Sequence, residues 1–151
     1  MKTAIKINKT SRNVLLKFIE KNTLEQLNTI PEGYSNNLIW NIGHIIVVQQ
    51  LLTYKLSGLP MLISNETVEK YKKGSRPEVP VTQLELEELK SLLFSTLEKT
   101  EIDIDAAVFN TYEEFTTMTG FHCQSAKDAI IFNNFHEGIH IGIMMQIQKL
   151  V

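Results

Sequence analysis

The strongest constraint on the fold is a series of long segments whose apolar residues recur at helical spacing. Between about Thr10 and Leu27 they recur without the strict alternation of a half-buried strand, which predicts a first long helix. Dense runs of Gly, Pro, Ser and Asn near residues 30, 60 and 75 interrupt the pattern and divide the chain into helical pieces rather than into domains. We therefore expect one domain over residues 1–151.

Capping signals locate three further long helices. Ser35 can cap a second helix that ends near Gly58, where glycine supplies a natural stop. Thr82 opens a third helix and Ser125 a last one, and each is followed three residues later by an acidic residue, as in a capping box. Apolar residues continue at helical spacing through all three segments.

The connections between these helices carry less regular signals. A short helix or turn is expected over Ser64 to Lys73, and the mixture of aromatic and Thr residues over Ile102 to Gly120 suits a hairpin or an extended loop. Four long helices with long, breaker-rich connections predict an all-α fold, a four-helix bundle with long crossover connections.

Composition and charge narrow the function classes. The chain has 43% hydrophobic residues, and 15 Lys and Arg against 17 Asp and Glu give a formal net charge of only −2. Nothing resembles the basic surface that neutralises phosphates or anionic lipid, so we expect no nucleic-acid or membrane partner. Cys123 is the single cysteine and no signal-peptide pattern opens the sequence, which favours a reducing, cytoplasmic location.

Two histidines, His136 and His140, lie four residues apart in the sequence HEGIH of the last predicted helix. Residues i and i+4 share one helix face, so both imidazoles can reach the same metal ion. The spacing is that of a zinc protease helix, but a catalytic zinc takes three protein ligands. The remaining residues, IGIMMQIQKLV, contain no His, Glu, Asp or Cys, so a third ligand has to come from upstream.

His44 is the upstream candidate. It lies within IWNIGHIIVVQQLL, whose apolar composition predicts burial. A lone buried imidazole more often hydrogen-bonds a carbonyl group of the core than binds a metal. The pair on the last helix favours the metal interpretation, because facing helices of a bundle commonly assemble metal sites in the core.

The segments NNLIWNIGHIIVVQQLL and FHEGIHIGIMMQIQKL resemble the two signature segments of the DinB superfamily, which includes the YfiT-like metal-dependent hydrolases. The resemblance implies a four-helix bundle in which His44 joins His136 and His140 to hold a divalent metal ion. An imidazole-rich site of this kind accepts zinc or nickel according to availability. Relatives include bacillithiol S-transferases and mycothiol-dependent isomerases, which implies a low-molecular-weight thiol as a substrate, and the family resemblance also implies a homodimer.

Three neighbouring residues are candidates for roles at this site. Glu137 is the candidate catalytic residue, as a base or as an acceptor behind a ligating His, with a dimer contact or a surface carboxylate as alternatives. Trp40 and Asn133 each lie one turn before a candidate ligand and are expected to border the metal pocket. For Trp40 the alternative is packing in the core.

The adjacent His122 and Cys123 could form a nucleophilic pair. Neighbours in sequence need not face each other, and no third orienting group is evident. We therefore expect a loop cysteine without a chemical role.

These observations predict a metal-dependent enzyme that acts on small molecules, either a thiol S-transferase or a hydrolase. A second hypothesis is a non-catalytic module that binds a metal or ligand through the same three histidines. A third is a metal-free bundle that dimerises through an apolar helix face, in which His44 lies far from His136 and His140.

Overall fold

Four long helices dominate the computed structural model, which describes residues 1–151. They are α1 (Lys2–Lys21), α3 (Leu38–Thr53), α5 (Gln83–Asp105) and α6 (Ala126–Ile147), and the connections hold two short helices, α2 (Leu24–Asn28) and α4 (Asn65–Tyr71), with a 3-10 turn at Lys55–Ser57. Two short strands, β1 (Phe115–Thr116) and β2 (His122–Cys123), pair as an antiparallel hairpin. The prediction of an all-α bundle with long crossovers is confirmed.

The long helices surround one main apolar core, beside which two small apolar clusters lie. Helices α5 and α6 each pack against both α1 and α3, so the order around the bundle is α1, α6, α3, α5. Helix α3 is enclosed on nearly every side, with 14 of its 16 residues buried. A histidine in the middle of α3 is therefore largely withdrawn from water.

Side-chain caps begin the helices close to the predicted positions. Thr82 accepts a hydrogen bond from the backbone N–H of Glu85, and Ser125 accepts one from that of Asp128, as predicted. Ser35, however, is not the cap of α3. Asn37 takes that position and accepts from the backbone N–H of Trp40, because an Asn side chain caps as well as Ser and lies nearer the apolar run.

The predicted first helix was wrong at both ends. Helix α1 begins at Lys2, and it ends at Lys21 instead of continuing to Leu27. Thr23 then opens α2 with a complete capping box, in which Thr23 and Gln26 exchange hydrogen bonds. This local exchange satisfies the first N–H groups of α2 and breaks an apolar pattern that continues at helical spacing.

The hairpin prediction is partly confirmed. Helix α5 continues into the predicted loop as far as Asp105, and the strands pair Phe115 with Cys123 and Thr116 with His122. The turn between them contains Gly120 in a left-handed conformation, with φ of 83°. None of the helices combines the length and the hydropathy needed to cross a membrane.

Candidate metal centre

The three candidate histidines converge where α3 packs against α6. His44 projects from α3, and His136 and His140 project from successive turns of α6. Their possible ligand atoms all lie within 4.8 Å of one another. The ring centroids are 5.3 Å apart for His44 and His136, 4.8 Å for His44 and His140, and 4.6 Å for the α6 pair.

This arrangement excludes the hypothesis that His44 lies far from the α6 pair. His44 is 6% exposed, whereas His136 and His140 are only partly buried. The cluster therefore lies just beneath the surface, with its partly exposed members on α6.

Two of the imidazoles are oriented by hydrogen bonds through Nδ1. The Nδ1 atom of His44 lies 2.7 Å from the backbone carbonyl oxygen of Tyr71, which can only accept. The Nδ1 atom of His140 lies 2.8 Å from Oδ1 of Asn41, whose Nδ2 is already donating to Asn36 and to the Asn37 carbonyl. Both imidazoles therefore carry a proton on Nδ1 and have Nε2 free as a ligand.

Gly43 makes the contact behind His44 possible. A Cβ atom at Gly43 would lie 2.5 Å from Cγ and Cδ1 of Tyr71, closer than any real Cβ contact. The absence of a side chain lets α4 approach α3 and brings the Tyr71 carbonyl to the imidazole. The Gly-His pair in the sequence thus has a packing explanation.

Burial keeps the three imidazoles neutral. The pKa of His136 is lowered to about 3, mainly by desolvation, with smaller contributions from the charged forms of His140 and His44 and from the Arg12 guanidinium. Desolvation and His44 lower the pKa of His140 to about 4. Desolvation also lowers the pKa of His44, although its hydrogen bond to Tyr71 opposes the shift. Neutral imidazole is the form that binds metals.

The donor set fits a divalent metal ion. Three neutral nitrogens with a free position is a ligand set that zinc uses in catalytic sites. The possible ligand atoms, which lie within 4.8 Å of one another, would draw closer together around one ion.

Trp40 lies directly against the cluster. Its indole stacks on the His44 imidazole with centroids 4.7 Å apart and planes inclined by 11°, and its Nε1–H donates to Oγ of Ser75. It also belongs to the main core, with 7% exposure. The two interpretations of Trp40 are therefore compatible, and its role in ligand binding stays a prediction.

Glu137 and Asn133 face α1. The Glu137 carboxylate is completely buried and pairs with Arg12, at 2.9 Å from Nε and 2.8 Å from Nη2 to the same oxygen. Asn133 donates from Nδ2 to that oxygen at 2.8 Å. Complete burial in this interface is incompatible with a surface carboxylate or a dimer contact. A catalytic role for Glu137 and a pocket role for Asn133 stay predictions.

His122 and Cys123 do not form a nucleophilic pair. The exposed imidazole of His122 contacts Glu114 and Thr116, whereas Cys123 is fully buried on the other side of β2. Desolvation is the main cause that raises the pKa of the Cys123 thiol. The thiol is therefore kept protonated and out of solvent, as expected for a cysteine without a chemical role.

Three groups around the cluster were not predicted from the sequence. The carbonyl of Tyr71 leaves no signal, because any residue supplies one. Asn41 lies three residues before His44, but the sequence does not show that it faces a different helix. Arg12 had a usable signal, since it is a charge at helical spacing with the apolar residues Leu15 and Ile19 of α1.

A comparison with protein-family models matches residues 8–144 of the chain to the DinB superfamily. The match includes all three histidines, Trp40 and the Arg12 to Glu137 pair. No curated protein shows a significant match to the chain.

Proposed function

The chain belongs to the DinB superfamily, and we propose that it is an enzyme that binds one divalent metal ion through His44, His136 and His140 and acts on small molecules. The observation that carries the proposal is the convergence of three neutral imidazoles from two helices within 4.8 Å. Zinc and nickel are the metals that this donor set favours. A bound divalent ion would lower the pKa of water or stabilise a thiolate.

The histidines and their acceptors have separate tasks in this proposal. Nε2 of His44 and of His140 would bind the metal, while Tyr71 and Asn41 keep the Nδ1 protons and set the ring orientations. The apolar surroundings of His44 exclude water from one side of the cluster. The partial exposure of His136 and His140 leaves a route for a small substrate from the α6 side.

An aromatic surface lies next to this route. Phe121 is 43% exposed and stacks on Phe132 with centroids 5.5 Å apart and planes inclined by 9°. Phe132 in turn lies 6.5 Å from His136 between ring centroids. We propose that the apolar part of a substrate rests on this surface while its reactive atom faces the imidazoles.

The reaction class we favour is thiol S-transfer, with metal-dependent hydrolysis as the other candidate. The only thiol of the chain, Cys123, is fully buried and protonated. A thiolate nucleophile would therefore have to come from a low-molecular-weight thiol of the bacillithiol type. The family relationship supports this substrate class, and the partly open cluster offers a place for its sulfur.

Assays of the zinc-loaded and nickel-loaded protein distinguish the two reactions. Bacillithiol and a fluorogenic alkylating reagent test S-transfer, and p-nitrophenyl esters test hydrolysis. Turnover that depends on the metal and disappears in His44→Ala supports an enzyme. Tight metal binding without turnover of either kind favours a non-catalytic metal-binding module.

We also propose that the protein forms a homodimer through one face of α6. Exposed apolar side chains follow this face, with exposures of 46% for Ile131, 55% for Phe135, 41% for Ile139 and 50% for Met145. Gly142 on the same face has open space beside it, which permits close approach of a second helix. A self-complementary face of this kind suits a two-fold dimer.

A further inference from the structure

An ion pair between α1 and α6 lies entirely within the bundle. The Arg12 and Glu137 side chains are both 0% exposed, and one carboxylate oxygen, Oε1, takes the contacts from Arg12 Nε, Arg12 Nη2 and Asn133 Nδ2 at 2.8 to 2.9 Å. Removing two charges from water is costly, and an apolar pair of similar volume often stabilises a fold as well or better. The pair is therefore poorly explained by stability alone.

Several polar atoms around this ion pair have no protein partner. Oε2 of Glu137, Nη1 of Arg12, Oδ1 of Asn133 and Nδ2 of Asn8 are all buried and unpaired. The set contains both donors and acceptors, and Asn8 and Asn133 lie one helical turn from the charged residues. Buried polar groups of this kind are commonly satisfied by ordered water.

One polar atom of the metal centre is likewise buried without a hydrogen-bond partner. Nδ1 of His136 is buried and has no partner, whereas Nδ1 of His44 and Nδ1 of His140 each have an acceptor within 2.8 Å. His136 immediately precedes Glu137 on α6. Among the three imidazoles, only His136 lacks the outer contact that usually fixes the ring of a metal-binding histidine.

We propose that ordered water links the Arg12 to Glu137 pair to Nδ1 of His136, which makes Arg12 and Glu137 positioning residues for that metal ligand. The link rests on the proposed metal site. The water donates a hydrogen bond to Oε2 of Glu137 and accepts one from Nδ1–H of His136, which would leave Nε2 of His136 as the ligand atom. Arg12 holds the carboxylate in place from α1, which explains why a charge lies on the buried face of that helix.

The test compares two double variants that remove both buried charges. R12M/E137M leaves no polar group at either position, whereas R12M/E137Q keeps a carbonyl acceptor at position 137. Neither leaves an unpaired buried charge, which would itself destabilise the fold. Zinc affinity is measured by competition with a chromophoric chelator, and thermal unfolding of the metal-free protein reports on the fold.

We expect R12M/E137M to fold and to bind zinc about 10-fold to 100-fold more weakly than the original protein, which is the usual effect of losing an outer contact of a ligand. R12M/E137Q should recover part of that affinity, because the amide keeps an acceptor at position 137 but loses the Arg12 contacts that hold it. The d–d spectrum of the cobalt-substituted protein should change in R12M/E137M and return part of the way in R12M/E137Q. Equal zinc affinity in the original protein and both variants would overturn the proposal.

Two further variants keep the test decisive if a double variant fails to fold. Glu137→Asp preserves the charge opposite Arg12 but withdraws the carboxylate by one methylene, and it should weaken zinc binding about 10-fold. Tyr54→Phe is the matched control, because it removes a buried hydrogen bond to Asp103 between α3 and α5. Unchanged affinity in Glu137→Asp, or an equal loss in Tyr54→Phe, contradicts a positioning role.

The outcomes also separate this proposal from the function on which it rests. If the original protein takes up no zinc, both the metal site and the positioning role are overturned. If it binds zinc and every variant at Arg12 and Glu137 binds equally well, only the positioning role is overturned.

Discussion

The Nδ1 atom of His140 on α6 lies 2.8 Å from Oδ1 of Asn41 on α3. Helix α3 thus supplies a candidate ligand, His44, and also the group that orients a candidate ligand on the facing helix. The contact couples the packing of two helices to the geometry of the metal centre. Substitutions at this contact should therefore change the affinity for the metal.

Removing the acceptor at Asn41 should weaken metal binding. We expect Asn41→Ala to lower zinc affinity about 10-fold to 100-fold, because His140 loses the contact that fixes its ring and its tautomer. Asn41→Asp keeps an oxygen at the same position and should retain most of the affinity. Chelator competition measures both variants, and a similar loss in the two would point to disruption of α3 instead.

Gly43→Ala should destabilise the bundle. The new methyl group would overlap the ring of Tyr71, so α4 has to move away from α3, at a cost of about 1–3 kcal/mol in the free energy of unfolding. Ser91→Ala on α5 is the control, since Ser91 is exposed within the helix and alanine is the stronger helix former. Urea denaturation measures both, and equal stability of the two variants would contradict the close approach.

The free energy of unfolding of the metal-free protein should fall as the pH is lowered below 6.5. The unfolded chain protonates its histidines near the ordinary pKa of 6.5, whereas the folded protein resists protonation of His136 down to about 3 and of His140 down to about 4. Between these values the unfolded state binds more protons, so the free energy of unfolding falls as the pH is lowered from 6.5. Above 6.5 these groups contribute no slope.

Urea denaturation at several pH values measures this dependence. The double variant H136Q/H140Q should show a shallower fall below pH 6.5, because two of the depressed groups are absent. If the free energy of unfolding depends on pH equally in this variant, groups other than His136 and His140 cause the acid sensitivity.

A charge on the exposed face of α6 should prevent self-association. Phe135 is 55% exposed in the monomer, so Phe135→Glu leaves the core intact while placing two like charges near each other in a two-fold dimer. Sedimentation velocity should show a dimer for the original protein and a monomer for the variant. Leu84→Glu is the control, because Leu84 is 82% exposed on α5 and lies outside this face. A monomeric original protein would contradict the dimer.

The long helices and the pair of His136 and His140 were accessible from the sequence because both follow from periodic patterns, whereas His44 was assigned from its apolar surroundings and the family resemblance. The caps at Thr82 and Ser125 depend on local hydrogen bonds, and the i, i+4 spacing places His136 and His140 on one face. The break of the first helix at Thr23 is local as well, but the apolar pattern on both sides concealed it. A capping signal and an apolar pattern can point to different helix ends, and the spacing of residues does not show which of the two decides.

The contacts that orient the imidazoles could not be predicted from the sequence. Tyr71 contributes only a backbone carbonyl, which has no sequence signature, and it arrives through the packing of α4 on Gly43. Arg12 and Glu137 are 125 residues apart, and their pairing depends on how α1 meets α6. Such contacts are set by tertiary packing, so they become visible only when the helices are assembled.

The most direct test of the metal centre is elemental analysis of the purified protein without an affinity tag, beside His44→Ala. The account predicts about one equivalent of a divalent first-row metal in the original protein and its loss in the variant, because two imidazoles alone are too few for firm binding. An original protein that is empty and also takes up neither added zinc nor added nickel would contradict the account.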